Sequence, residues 1–153
     1  MKAKSLLSTL TAILILTGCN TYKEYDKESF PNYTWDYGQE IVFKPVIENI
    51  DKSYNLSLGI RHIYGLRLSN LLVTVKSISP SGKEDTKEYD LKIMDEAGKY
   101  IGSCAGDMCD LETLVNESIK FDEAGEYQFI VTHNVQKNRL PGVMEFGLII
   151  DEN

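Results

Sequence analysis

Three cysteines, two histidines and one tryptophan carry most of the chemistry this sequence could do. Cys19 stands directly after Leu16-Thr17-Gly18, at the end of an apolar run that begins at Leu6. A cysteine so placed resembles a bacterial lipid attachment site. Its thiol would take diacylglycerol as a thioether, cleavage would follow just ahead of it, and the new amino group would take a fatty acyl chain such as palmitate. Each buried CH2 is worth ~0.8 kcal/mol, so two or three chains anchor durably where one holds marginally.

Cys104 and Cys109 remain as an even pair, separated by Ala105-Gly106-Asp107-Met108. In an oxidising compartment they are disulfide candidates, provided the loop brings their Cα atoms within about 6 Å. A redox-active pair would need the C-x-x-C spacing. A closed zinc site needs four ligands, and His62 and His133 lie far off in sequence. Asp107, Asp110 and Glu112 lack the spacing of a calcium loop and read as solvated loop acids. Both histidines continue the apolar face of a strand pattern, where a hydrogen bond to main chain is the simpler role. Gly-x-Ser-x-Gly, His-Glu-x-x-His and phosphate-loop motifs are missing. The expectation is a protein that is not an enzyme, with no metal, no cofactor and no catalytic residue to name.

Tyr33 and Trp35, in Phe30-Pro31-Asn32-Tyr33-Thr34-Trp35, could form a stacking platform for a sugar or peptide. Ordinary packing of an extended amino-terminal strap is the competing reading, since Pro31 holds Phe30 extended and aromatic residues dominate burial.

The elements that must position these residues follow from patterning. Lys2 and Lys4, the apolar run Leu6 to Leu16 and small residues before Cys19 make residues 1–18 a secretory signal of the bacterial lipobox type. A spanning helix would need about 20 apolar residues, more than this run offers. Residues 19–29 are polar and read as a lipidated, flexible tether. Asn20, where an Asp would favour the inner membrane, points to the outer membrane, with the leaflet left open.

From Gln39 onward the period is two. Ile41 and Phe43 open a strand, and Tyr54, Leu56, Leu58, Ile60 and His62 alternate with Asn55, Ser57, Gly59 and Arg61. Leu71, Val73 and Val75 precede a turn at Ser79-Pro80-Ser81-Gly82, and Tyr89, Leu91 and Ile93 return from it. Only Asp110 to Asn116 reads as helical, for a turn or two. Tyr127, Phe129, Val131, His133 and Val135 share a face, as do Met144, Phe146, Leu148 and Ile150. Glu123-x-Gly125-x-Tyr127 is similar to the tyrosine corner of immunoglobulin-like sandwiches. The expected fold is all-β, an antiparallel β-sandwich of immunoglobulin-like or jelly-roll-like type with seven to eight strands and one short helical turn, over residues 30–153.

Charge narrows the partners. Removing residues 1–18 takes two Lys from 16 basic residues and leaves the 23 acidic ones, a formal net charge of −9. That balance repels phosphate backbones, so nucleic acid is not an expected partner. About 135 residues suffice for one domain of ordinary size.

The stretch Arg61-His62-Ile63-Tyr64, with Ser69-Asn70-Leu71, the lipobox, Phe30-Pro31 with Trp35, and Leu140-Pro141-Gly142-Val143 with Gly147-Leu148, resembles the GldH family of gliding-motility lipoproteins of Bacteroidota. The resemblance spans most of the exported chain; Leu72 stands where the family often has a bulky residue. It implies a lipid-anchored envelope protein without known catalysis, whose partners are the membrane and other envelope proteins of a motility or secretion assembly. Arg61, His62, Tyr64 and Asn70 are then candidates for a partner-binding or structural cluster, with Arg61 and His62 on opposite strand faces. The other class to weigh is a lipid-anchored glycan- or peptide-binding accessory protein using Trp35.

Overall fold

The computed structural model describes residues 21–153. Its thirteen strand segments are β1 (Thr21–Asp26), β2 (Thr34–Asp36), β3 (Ile41–Phe43), β4 (Val46–Ile47), β5 (Tyr54–Ile63), β6 (Asn70–Ile78), β7 (Glu84–Lys92), β8 (Ser103–Ala105), β9 (Met108–Ile119), β10 (Gly125–Glu126), β11 (Gln128–His133), β12 (Arg139–Pro141) and β13 (Val143–Glu152). Seven of them have six residues or more, and these carry the architecture. One sheet runs β1-β13-β5-β9-β8 and the other β3-β11-β6-β7, with the short pairs β10-β4 and β12-β2 at the margins. Every pairing is antiparallel.

The alternation seen in the sequence sets which faces meet. Leu56, Leu58 and Ile60 on β5, Phe146, Leu148 and Ile150 on β13, Leu71, Val73 and Val75 on β6, and Phe129 and Val131 on β11 are buried in one core. Two sheets that each bury one face against the other make a sandwich. A tyrosine-corner contact closes its β10–β11 edge: the Glu123 main-chain N–H donates to the Tyr127 hydroxyl at 3.3 Å. The turn at residues 79–82 is closed by Gly82 N–H donating to Ser79 O at 2.9 Å, with Gly82 at φ +88°, a value open to glycine at little cost.

Three expectations are corrected. Residues 21–26 are not a flexible tether; they form β1, paired residue for residue with Asp151 to Phe146 of β13. Asp110 to Asn116 is not helical and lies inside β9, the longest strand, because its Leu111 and Val115 turn toward the core beside β5, and tertiary pairing outweighs a weak local cap signal. The Phe30-Pro31 strap is not extended. It contains the one helical turn among the described residues, a 3-10 turn at Pro31–Tyr33, with Asn32 at φ +56° and Tyr33 at φ +54°.

β1 is fixed by more than its ladder. Tyr25, Gly147, Gly59 and Glu112 are register partners in one row across β1, β13, β5 and β9. The two glycines leave a trough on the outer face, and the Tyr25 ring lies in it: a Cβ on Gly147 would come within 2.7 Å of that ring, and one on Gly59 would collide with the hydroxyl. Lys23 caps the ring at 5.8 Å from its centroid and bonds Glu112 at 2.8 Å. An aromatic ring laid over strand glycines restores the packing that glycine forfeits.

Tyr25→Ala should therefore destabilise the domain by about 1–2 kcal/mol and expose residues 21–29 to protease. Gly59→Ala should cost at least as much alone and much less in the Tyr25→Ala background, because the colliding ring is gone. Thermal melts of the four proteins in that cycle measure the coupling; additive losses would show that the ring and the trough act independently.

Candidate functional site

The end of the sandwich at which β13 begins gathers most of the candidate residues. The Ile63 N–H donates to Gly142 O at 2.9 Å, and the Gly142 N–H donates to Tyr33 O at 2.7 Å. The 3-10 turn and the β5–β6 connection therefore meet on the Pro141-Gly142 corner. Gly142 sits at φ +99°, and a Cβ there would press on Ile63 and Leu66 at 3.0–3.2 Å, so this corner needs glycine. Tyr33 is 53 % exposed and Tyr64 63 % exposed, and Met108, also exposed, is the register partner of Ile63. Main-chain and ring contacts hold Tyr64 in place. Its N–H donates to Asp107 O at 2.7 Å, and its ring packs edge-on against Tyr100 at 5.3 Å. Tyr100 is itself pinned, accepting from Gly65 N–H and donating to Leu66 O, each at 2.9 Å.

Cys104 and Cys109 are joined by a disulfide, with Cα atoms 4.0 Å apart, as direct register partners on β8 and β9. The bond closes the hairpin whose Asp107 carbonyl holds Tyr64. Exposed Tyr33, Tyr64 and Met108 thus share this end, with Tyr64 held by a main-chain bond and a ring contact.

Arg61 and His62 are indeed on opposite faces. Arg61 donates to Asp110 at 2.6 and 3.2 Å and to Glu145 at 3.0 Å, all three residues in one row of the outer face. Those two carboxylates hold the guanidinium pKa above its ordinary value, first through the hydrogen bonds to Asp110. His62 is fully buried, with its ring tilted against Tyr100 at 5.0 Å. Its Nδ1 lies 2.9 Å from Ile63 O, so Nδ1 carries the proton and Nε2 is left without a partner among the described residues.

Asn70 stands apart. It begins β6 in the other sheet and donates to Asp90 at 2.8 Å, so the four family residues Arg61, His62, Tyr64 and Asn70 do not form one site.

Trp35 is fully buried and cannot act as a platform. It packs edge-on against Phe30 at 5.5 Å and His133 at 5.3 Å, tilts against Phe146 at 5.1 Å, and donates from Nε1 to Gln39 O at 3.2 Å. Of the two readings, ordinary packing is the one Trp35 follows, and the stacking platform of Tyr33 with Trp35 is not formed: Tyr33 alone of the pair faces solvent. Sequence gave no way to tell the two rings apart, because the positive φ at Asn32 and Tyr33 reverses which of them faces inward.

His133, also buried, accepts from Val135 N–H at 3.3 Å through Nδ1, which leaves its Nε2 as the protonated nitrogen, without a partner among the described residues. Burial pushes its pKa below the ordinary histidine value. No group of three or more His, Cys, Asp or Glu among the described residues is arranged to hold a metal ion. Cys19 and the signal of residues 1–18 lie outside the described residues.

The family described as GldH lipoprotein matches residues 20–150. The chain belongs to the GldH lipoprotein family. It is 29 % identical to the gliding motility lipoprotein GldH homolog of Christiangramia forsetii, over 99 % of this chain and 97 % of that protein. It is 26 % identical to the gliding motility lipoprotein GldH of Flavobacterium johnsoniae, over 99 % of this chain and 94 % of that protein. No solved structure matches. Membership of a lipoprotein family implies a lipid-anchored place in the cell envelope. All but one of the described strands fall wholly within the matched span, β13 running two residues past it, so the GldH match covers the sandwich and the aromatic end alike.

Two outcomes follow for this end of the GldH domain. Because His133 is held neutral in the fold, its contribution to stability is whole above about pH 6.5 and declines as pH falls below that value. The melting temperature should drop with acidification, and His133→Phe should flatten the drop. Removing the bond with Cys104→Ser and Cys109→Ser should cost about 2 kcal/mol on loop-closure grounds, measured by denaturant unfolding.

Proposed function

We propose that this chain is a non-catalytic component of a motility- or secretion-related envelope assembly, anchored through acylated Cys19 and docking a protein partner through the aromatic end that carries Tyr33, Tyr64 and Met108. The observation that supports the reading most directly is the direction of β1. Thr21 pairs with Asp151 at the far end of β13, whereas Val143 pairs with His62 beside Tyr64. The eight residue-to-residue steps from 143 to 151 span about 26 Å at ~3.3 Å per residue. Cys19 precedes Thr21 by two residues, a reach of about 7 Å. A lipid there would hold the sandwich close to the bilayer by one end and present the aromatic end away from it, where a protein partner and not the membrane is the neighbour.

Asn20 after the lipid cysteine favours the outer membrane. The glycan-binding alternative loses its main residue with Trp35 buried. Tyrosine and methionine are enriched at protein interfaces, and aromatic anchors whose rotamers are already fixed bind at low entropic cost.

The test is made in the native host with the full-length protein. Replacing Tyr33 and Tyr64 by Ser together should abolish colony spreading or hold back secreted proteins, while the variant remains in the membrane fraction at wild-type level. Spreading and secretion at wild-type levels, in a host where the clean deletion loses them, would remove the aromatic end from the mechanism.

A further inference from the structure

A second surface lies on the side of the sandwich, well away from the aromatic end. In the first sheet, β8 covers only Met108 to Asp110 of β9. Residues 111–119 have no strand on that side among the described residues. The second sheet ends at β7. Beyond their ladders to β5 and β6, no main-chain hydrogen bond joins residues 111–119 or 84–92 to another main-chain group among the described residues. Two sheets thus end on the same side with open edges.

Between these edges runs a cleft of about 310 Å³. Leu56, Val75, Phe121 and Phe129 form its apolar floor, and Tyr89 on β7 reaches the Asn116 side chain on β9 across it. At ~30 Å³ per water the cleft holds about ten, which apolar side chains would displace with gain.

The two edges are not equivalent. The β5–β9 ladder shifts register twice near Leu56, and Ser118 sits at φ +51° with its N–H held by Asn55 Oδ1 at 3.1 Å. Such bulges turn an edge away from further pairing. β7, by contrast, keeps an unbroken nine-residue register with β6. Asp85, Lys87 and Tyr89 lean from it into the cleft, and Glu88 and Asp90 face outward. β7 carries Glu84, Asp85, Glu88 and Asp90 against Lys87 and Lys92. Its net charge is negative, so a strand laid beside it is favoured when basic, since opposite charges on paired strands attract.

We propose that the open edge of β7 is a strand-addition site for an extended segment of another envelope protein, basic on its outward-facing positions and apolar at the alternate ones that enter the cleft. Main-chain bonds to β7 supply affinity and the cleft supplies side-chain selection, the division of labour of β-augmentation. The inward Asp85 and Lys87, 3.7 Å apart, disfavour a uniformly greasy strand at the mouth and so guard the edge against indiscriminate pairing.

The test uses the full-length lipidated protein in phosphatidylethanolamine–phosphatidylglycerol nanodiscs and a nine-residue acetylated peptide alternating Val with Lys. Titration followed by hydrogen exchange should show slowed exchange in residues 84–92 on binding, with the amides around Tyr33 and Tyr64 unchanged. Ser77→Trp, which fills the cleft from its wall, should raise the Kd at least tenfold. Should that variant fold poorly, the surface pair Glu88→Lys with Asp90→Lys serves in its place: it should weaken the Lys-Val peptide at least tenfold and strengthen a Glu-Val one. Exchange in residues 84–92 that stays unchanged up to millimolar peptide would overturn the proposal. So would protection that rises with protein concentration in the absence of peptide, which would assign the edge to a second copy of this chain. Both outcomes are independent of the Tyr33 and Tyr64 result, because β7 and those residues are read separately.

Discussion

The six-residue ladder between β1 and β13 is the constraint from which the rest of the molecule takes its direction. With it, the chain is hydrogen-bonded from Thr21 onward, so an anchor at Cys19, as proposed above, would give the two ends of the sandwich different neighbours. The ladder itself depends on a local compromise. Gly59 and Gly147 weaken two strands at the centre of the sheet, and Tyr25 returns the lost packing by lying over both. Lys23, fixed to Glu112, then covers the ring, so the row joins four strands through one aromatic side chain.

At the opposite end, order is achieved almost entirely by main-chain bonds. Tyr33 is displayed by two successive residues in the left-handed region, a conformation that non-glycine residues adopt at a cost of about 1–3 kcal/mol and keep only when their surroundings over-determine it. The Gly142 bond, the buried Trp35 anchor and the β2–β12 pairing supply that determination. The disulfide does the same for the β8–β9 hairpin beside Tyr64. On the two proposals above, aromatic groups held outward at one end and an open regular strand over an apolar cleft on the side would engage other proteins by distinct means.

Buried histidines behave here as structural groups with a latent cost. His62 and His133 each bond main chain through one nitrogen and leave the other without a partner among the described residues. Their surroundings are aromatic, Tyr100 for one and Trp35 with Tyr37 for the other, and ring edges and faces take up part of what a hydrogen bond would have supplied.

Period-two alternation, the turn at Gly82, and the inward sets on β5, β6, β11 and β13 were legible in the sequence because a half-buried strand must alternate to bury one face. The pairing of Cys104 with Cys109 was legible for a local reason, since the two lie five residues apart on one hairpin. What the sequence left undetermined was each feature set by distant neighbours. A polar stretch such as residues 21–26 has no intrinsic strand pattern, and it becomes a strand only because β13 offers an edge and two glycines offer a seat for Tyr25. Asp110 to Asn116 carries a helix-like cap and becomes strand because β5 lies beside it. Whether Tyr33 or Trp35 faced solvent rested on two dihedral angles, and whether Arg61 and Asn70 shared a site rested on which sheet each strand joined. Sequence fixes the preference of each segment for its own geometry; long-range packing, worth more than those local preferences, decides which segments meet.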